Sequence, residues 1–257
     1  MTPVLAVIPA RFGSTRFPGK PLADRTGKPL IQHVVEQARR AKRIGRVVVA
    51  TDDARIYDTV RAFGGEAVMT RADHPNGTSR IAEAVEKLEA PEAAGPETII
   101  VNVQGDEPEI EPRVIDELVA GLEDDPDAPM ATLASDFAPD EDPANPNIVK
   151  LVTANVNGRL RALYFSRSLI PFHRDPVLTA RPPYLKHPGL YAYRRDFLLR
   201  YVTLSATPLE QAEQLEQLRA LEHGYPIAII RTQVRHHGID TPEQYDAFVA
   251  RVVGARS

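Results

Sequence analysis

Between residues 4 and 103, short apolar runs alternate with helical patterns, and few architectures accept that order. Val4–Ile8, Val47–Thr51, Ala67–Met69 and Ile99–Val103 read as strands. From Pro29 to about Lys42, the residues Leu30, Ile31, Val34, Val35 and Ala38 fall on one side of a helix. Asp53 reads as the N-cap of a second helix through Ile56, Val60 and Phe63, ended by Gly64-Gly65, and Ser79–Leu88 as a third. Such alternation implies a parallel sheet covered by helices on both faces, an α/β fold. Ligands of these sheets sit beyond the carboxyl ends of the strands. The loops at 9–21, 70–80 and 104–108 leave such ends and are expected to converge.

The first of these loops follows a buried-strand pattern and holds Gly13, Gly19, three prolines and the cations Arg11, Arg16 and Lys20. Glycines there let backbone N–H groups approach a phosphate, and fixed cations neutralise its charge. The expected tenant is a polyphosphate. The common G-x-x-x-x-G-K-[ST] loop fails, because five residues separate Gly13 from Gly19 and Pro21 stands where Ser or Thr would hold magnesium. No G-x-G-x-x-G is present either, so the loop binds nucleotide by another scheme.

The second half changes character. An acidic, proline-rich stretch from Asp124 to Pro146 includes the short apolar segment Met130–Leu133. The runs Val149–Ala154 and Leu160–Ser166 flank Asn157-Gly158, a strong hairpin signal. Pro188 to Tyr193 and Ile227 to Thr232 read as further strands, with one helix, Leu209–Leu221, between them and stopped by Gly224. A last helix runs from about Pro242 to Val253. With no repeat and no long linker, residues 1–257 read as one domain with an inserted hairpin lobe.

At 257 residues the chain can bury a full core. A net charge of −4 argues against nucleic acid as partner. The absence of cysteine excludes a disulfide framework and a thiolate site and is consistent with a reducing compartment. No run approaches the roughly 18 apolar residues of a membrane span, and no secretory leader pattern opens the chain. These features read as a cytoplasmic globular protein without membrane insertion.

Asp106 is the best metal candidate, because it follows Ile99–Val103 through Gln104-Gly105 at the expected sheet edge. A hard cation such as magnesium takes carboxylates together with substrate phosphates. A surface turn aspartate is the competing reading, and Glu107 reads as its solvent-facing neighbour. The D-x-D sets Asp125-Pro126-Asp127 and Asp140-Glu141-Asp142 lie in polar loop composition and read as solvated. His236-His237 would point to opposite sides of a strand, which argues against a zinc pair. Ser14 and Ser166 lack the surroundings of a hydrolase nucleophile. Asp240, in G-I-D-T-P, reads on composition alone as part of a helix cap.

Several segments together resemble one family. They are I-P-A-R-F-G-S-T-R-F-P-G-K-P-L (8–22), V-A-T-D-D (49–53), M-T-R-A-D-H (69–74), I-V-N-V-Q-G-D-E-P (100–108) and H-G-I-D-T-P-E (237–243). N-P-N-I-V-K (145–150), A-L-Y-F-S-R-S-L-I-P (162–171), H-P-G-L-Y-A-Y (187–193) and P-L-E-Q-A-E-Q-L-E-Q-L-R (208–219) agree as well. The collinear pattern resembles 3-deoxy-manno-octulosonate (Kdo) cytidylyltransferases, also called CMP-Kdo synthetases. The resemblance implies a Rossmann-like nucleotidyltransferase fold with a mostly parallel sheet and an inserted hairpin that serves as dimerisation lobe. It divides the chain into a nucleotide half (about 1–125), a sugar and dimerisation lobe (about 126–225) and a C-terminal metal loop and helix (about 226–257).

The implied reaction is CTP + Kdo → CMP-Kdo + diphosphate, which activates Kdo for lipopolysaccharide synthesis. By position, Arg11, Ser14 and Lys20 would hold the triphosphate. Gln104 and the segment Arg71 to Arg80, with Arg71, Asp73, Gly77, Thr78 and Arg80 named in it, would line the nucleotide side. Arg167, His187, Tyr191, Glu216 and Gln217 would face the sugar acid. Asp106 and Asp240 would bind magnesium, which reverses the cap reading of Asp240, and Arg11, Lys20, Asp106 and Asp240 form the implied catalytic set. The family's members are homodimers. Two departures stand out: N-G-T-S-R at 76–80 carries Ser79 where the family has an acid, and Phe17 replaces a leucine. The rival readings are another sugar-acid cytidylyltransferase, such as a CMP-sialic acid synthetase, and a catalytically silent nucleotide sensor; Lys20, Asp106 and Asp240 together argue against the second.

Overall fold

Val4 through Ile8 are all buried, as a strand covered on both faces requires. That strand, β1 (Val4–Ala10), lies between β2 (Arg46–Thr51) and β4 (Ile99–Asn102), with β3 (Glu66–Met69) outside β2, every pairing parallel. The computed structural model describes residues 2–13, 16–88, 95, 97–175, 183–233 and 238–254. Its contacts separate the chain into two compact units. One comprises Met1–Asp116, Arg194–Val202 and Arg235–Ser257; the other comprises Glu117–Tyr193 and Thr203–Val234.

In the first unit, α1 (Leu30–Arg40) buries the five apolar residues that its spacing predicted. Burying each such aliphatic side chain contributes about 1.5–3 kcal/mol. Asp53 caps α2 (Ala54–Ala62) by accepting from the Arg55 amide. The third helix, α3 (Gly77–Lys87), starts two residues before the predicted Ser79, because the Asn76 side chain accepts from the Ser79 amide and sets the cap there. The Cα of Gly105 lies so close to the Pro9 carbonyl that a Cβ would come within 2.7 Å of that oxygen. Only glycine lets the turn after β4 close against the end of β1. Helix α8 (Pro242–Gly254) contributes Tyr245 and Phe248 to a cluster with Leu30 and Ile239, and Phe17 packs on this cluster 5.5 Å from the Tyr245 ring.

The second unit is mixed rather than parallel. Its strands are β5 (Met130–Asp136), β6 (Lys150–Val156), β7 (Arg159–Ser166), β8 (Leu185–Lys186), β9 (Tyr191–Arg194) and β10 (Ile227–Thr232). β10 pairs parallel with β5 and antiparallel with β7, so the order β10-β7-β6-β8-β5 returns upon itself. The predicted hairpin is present: Asn157 (φ 52°) and Gly158 (φ 81°) both take the positive angles that a two-residue turn matching strand twist demands.

Two expectations need correction, and several elements had none. The apolar segment Met130–Leu133, given no element in the sequence reading, opens a strand buried from Met130 to Ser135. The single helix over Leu209–Leu221 is two, α6 (Pro208–Glu213) and α7 (Gln217–Glu222), parted where Gln214 turns to φ 54°. The strand assigned to Pro188–Tyr193 begins only at Tyr191. Two helices went unread, α4 (Pro112–Asp124) and α5 (Arg195–Tyr201).

Candidate active site

The ends of β1 and β4 and the N-terminus of α3 carry the loops that meet in the first unit. They surround a pocket of about 390 Å³, lined among others by Pro9, Arg11, Arg16, Lys20, His74, Asn76, Gly77, Arg80, Gln104, Gly105, Asp106 and Asp240. The three loops expected to converge therefore do so, and Asp240 joins them. Gly19 N–H donates to the Phe12 carbonyl at 3.0 Å, which folds the loop back and delivers Lys20 inward.

Lys20 is the hub. Its Nζ donates to Asp106 Oδ2 at 3.0 Å and to the Ile239 carbonyl at 2.6 Å, and it lies 3.5 Å from Asp240 Oδ1. The Ile239 amide in turn donates to the Asp106 carbonyl at 2.8 Å, so the Asp240 segment is pinned to the turn after β4. Arg16 pairs with the second Asp240 oxygen at 3.1 Å. Helix capping is therefore not what the Asp240 carboxylate does. Asp106 is reachable from the pocket yet embedded in protein. Burial pushes its pKa up; Lys20 opposes this, while Glu107 and Asp240 add to it. Glu107, expected to face solvent, is buried.

Two carboxylates converging on one ammonium form a hard-oxygen donor pair. Among the described residues no group of three or more His, Cys, Asp or Glu side chains could hold a metal. Two carboxylates alone would leave most ligands of a divalent ion such as magnesium to phosphate and water.

On the side expected to face the nucleotide, Arg80 is buried and fixed by Thr70 Oγ1 at 2.6 Å and Asp52 Oδ2 at 3.2 Å. His74, inside the segment expected on this side though not singled out there, has a side chain only 4% accessible. Its Nε2 pairs with Glu83 and its Nδ1 lies 3.2 Å from Ser79 Oγ. Burial opposes ionisation of Glu83, but bonds from Lys87, His74 and the Arg71 amide outweigh it and hold the carboxyl at about 2. Arg71 and Asp73 lie on the exposed shoulder of this loop, 3.5 Å apart, and Thr78 is buried in α3; none of the three lines the pocket. Ser14 and His236-His237 lie outside the described residues.

In the second unit, His187 Nε2 is 2.9 Å from Thr132 Oγ1, and that hydroxyl donates to the Leu190 carbonyl. The His187 ring packs edge-on against Phe165 and Tyr191. Tyr191 OH donates to Gln217 Oε1 at 3.2 Å, and the buried Gln217 Nε2 has no hydrogen-bond partner among the described residues. Glu216 stands at the start of α7, and Arg167 is bonded to the same segment through the Glu213 and Gln214 carbonyls. Among the described residues neither D-x-D set joins a cluster of three or more metal-ligating side chains, and Asp125 is not solvated. It is buried and doubly bonded by Arg161. Asp142 caps a turn at the Ala144 amide.

The family model described as Cytidylyltransferase matches residues 5–231. A curated 3-deoxy-manno-octulosonate cytidylyltransferase of Syntrophobacter fumaroxidans is 51% identical over 246 residues, covering 96% of this chain and 95% of its own length. The protein of that name from Geobacter sulfurreducens is 48% identical over 257 residues, covering 97% and 99%. Among solved structures, a CMP:2-keto-3-deoxy-manno-octonic acid synthetase complexed with CTP matches with a TM-score of 0.87 and 46% identity, over 98% of this chain and 99% of that one. The 4-diphosphocytidyl-2C-methyl-D-erythritol synthase from Anaerococcus prevotii, at TM-score 0.60 and 11% identity over 97% and 98% of the two chains, shares the fold.

Proposed function

The chain belongs to the 3-deoxy-manno-octulosonate cytidylyltransferase family, and from that premise we propose that it transfers the cytidylyl group of CTP to Kdo and releases diphosphate. The observation that carries this reading is near-half identity across essentially the full length of relatives bearing that name, with no unit of the chain left unmatched.

In the reaction a hydroxyl of the sugar acid attacks the α-phosphorus, the bond to the bridging oxygen breaks, and the hydroxyl proton departs. Both reactants are anionic, so the protein must first offset their repulsion. Arg11, Arg16 and Lys20 supply positive charge at the mouth of β1 where a triphosphate would lie. Lys20 is held from three sides, so its charge is in place before the leaving diphosphate accumulates negative charge. Arg80 and Gln104 line the same pocket on the nucleotide side. In the second unit, Gln217 Nε2 offers a donor that has no partner among the described residues, and Arg167 offers a guanidinium for the sugar carboxylate. Asp106 and Asp240 would hold magnesium, which when bound screens the anions and lowers the attacking hydroxyl's pKa. Positioning and electrostatics carry most of such a transfer.

The enzyme works in the cytoplasm, feeds lipopolysaccharide synthesis, and forms a two-fold homodimer through the β6–β7 hairpin. The support for the last is Leu163, 60% exposed in the middle of β7. Among the described residues no helix is long and apolar enough to cross a membrane. Diphosphate release measured with CTP, magnesium and a panel of sugar acids tests the reading. Turnover is expected with Kdo; preference for a sialic acid, or no turnover at all, would overturn it.

A further inference from the structure

We propose that Lys150 is a positioning residue for the sugar-acid site: its buried ammonium fixes the strand end and loop that aim the Arg167 guanidinium. The inference rests on the reading above that Arg167 meets the sugar carboxylate.

Lys150 opens β6 and has no accessible surface. Its Nζ donates to the carbonyls of Asn145 at 3.0 Å, Ile148 at 2.7 Å and Arg167. An ammonium has three protons, and three acceptors take them, so the group is fully satisfied. Burying a charge among neutral acceptors is costly, and an apolar side chain would fill the same space at less cost. Burial lowers the Lys150 pKa, with Arg167 adding to the effect and Glu213 and Asp142 opposing it. What the ammonium provides in return is geometric: it ties residues 145–148 to the end of β7.

Arg167 uses that same frame. Its Nε donates to the Glu213 carbonyl at 2.8 Å, and its two terminal nitrogens reach the carbonyls of Pro146 at 3.2 Å and Gln214 at 3.4 Å. The Glu213 carboxylate is engaged elsewhere, by Ser166 Oγ and the Arg167 amide. Among the described residues every bond of the guanidinium goes to a neutral carbonyl, so its charge is oriented but not neutralised. That is the state suited to meeting an anion. The Pro146 carbonyl that steadies Arg167 lies between the two carbonyls that Lys150 holds. Loss of the ammonium would therefore loosen both the backbone of Arg167 and one of its three supports.

The experiment compares steady-state kinetics of the full-length wild type, Lys150→Met and Arg167→Ala. For Lys150→Met the KM for Kdo should rise about tenfold, a change worth about 1.4 kcal/mol, while the KM for CTP stays within about twofold. Equal changes in both constants, or a fall in kcat alone, would show a merely structural role and overturn the proposal. If Arg167→Ala leaves the KM for Kdo unchanged, the assignment of Arg167 fails, and this inference fails with it. If Arg167→Ala raises that KM and Lys150→Met does not, only the inference fails. The chain contains no cysteine, so Lys150→Cys can be alkylated at one site in denaturant and refolded beside identically treated wild type. Alkylation with 2-bromoethylamine restores an ammonium and should restore the KM for Kdo; iodoacetamide leaves a neutral side chain and should not. Equal KM for the two adducts, or folding of the charged adduct alone, would overturn the proposal.

Discussion

The two buried lysines of this chain are held in opposite ways. In the first unit, Lys20 meets two carboxylates and one carbonyl. In the second, Lys150 meets three carbonyls and no carboxylate. A carboxylate partner carries its own charge, so an arriving triphosphate would take its place at the ammonium while the freed carboxylate turned to a divalent cation, at little net electrostatic loss. A carbonyl has no such alternative, and removing the ammonium leaves buried acceptors unpaired at about 1–3 kcal/mol each. The difference teaches where each unit does its work. The first holds charges that can be redistributed during a reaction; the second holds charges that fix a shape.

The sharpest way to break this contrast is to neutralise the exchangeable partners. Asp106→Asn and Asp240→Asn should each fold and lose roughly two to four decades of turnover, because each would remove a ligand of the proposed magnesium and with it several kcal/mol of transition-state stabilisation. Circular dichroism alongside the diphosphate assay checks both parts. Near-normal turnover in the Asp240 variant would take that residue out of the site and make its contacts to Lys20 and Arg16 ornamental.

Lys20→Ala comes next, with kcat expected to fall by about two decades and the KM for Kdo to change far less. Charge on the departing diphosphate grows in the transition state, so an ammonium at the leaving group acts on kcat. A change confined to the KM for Kdo would place Lys20 with the sugar, and the division between the units would dissolve.

How much of this was legible in the sequence differs between the units for the same physical reason. The parallel strands show continuous apolar runs with clear helical periods between them, so β1 to β4 and α1 to α3 could be read to within a few residues. In the second unit, burial alternates or is supplied by ion pairs, as at Asp125–Arg161, and composition then mimics solvated loop. Helix α4 carried a readable stripe of Val114, Ile115, Leu118, Val119 and Leu122 behind Pro112, but it sits against an acidic stretch that hid it. The α6–α7 break depends on a left-handed Gln214, which no glycine announces. Asp240 is a different case, since its surroundings spell a helix cap equally well and only its contacts separate the readings. The His74–Glu83 pair, nine residues apart, matches no local motif.

That pair gives a smaller test of the first unit's rigidity. The Glu83 carboxyl is held at about 2, below its ordinary 4.5. A depressed carboxylate contributes stability that is present above the unfolded pKa and is lost as pH falls through the folded one. Glu83 should therefore contribute roughly 1–2 kcal/mol at neutral pH, lost between about pH 4.5 and about pH 2. Glu83→Gln should flatten that part of the acid limb in urea titrations read at successive pH values. An unchanged limb would show that the Glu83 carboxylate, with its bonds from Lys87, His74 and the Arg71 amide, adds no net stability.

The least disruptive change should be Leu163→Asp. Leu163 alternates outward from Ala162, which is buried, and is 60% exposed, so a charge there creates no cavity and strands no polar group. Folding stability should stay within about 0.5 kcal/mol of the parent, as for other surface substitutions. Association should suffer instead, because an apolar residue on a self-complementary two-fold patch is changed on both chains at once, placing like charges across the axis. Sedimentation is expected to show the parent near twice 28.4 kDa and the variant shifted toward single chains. A parent that sediments as a monomer at micromolar concentration with full activity would remove the hairpin from the assembly. The second unit's fixed geometry would then have to come from Lys150 and its carbonyls without help from a partner.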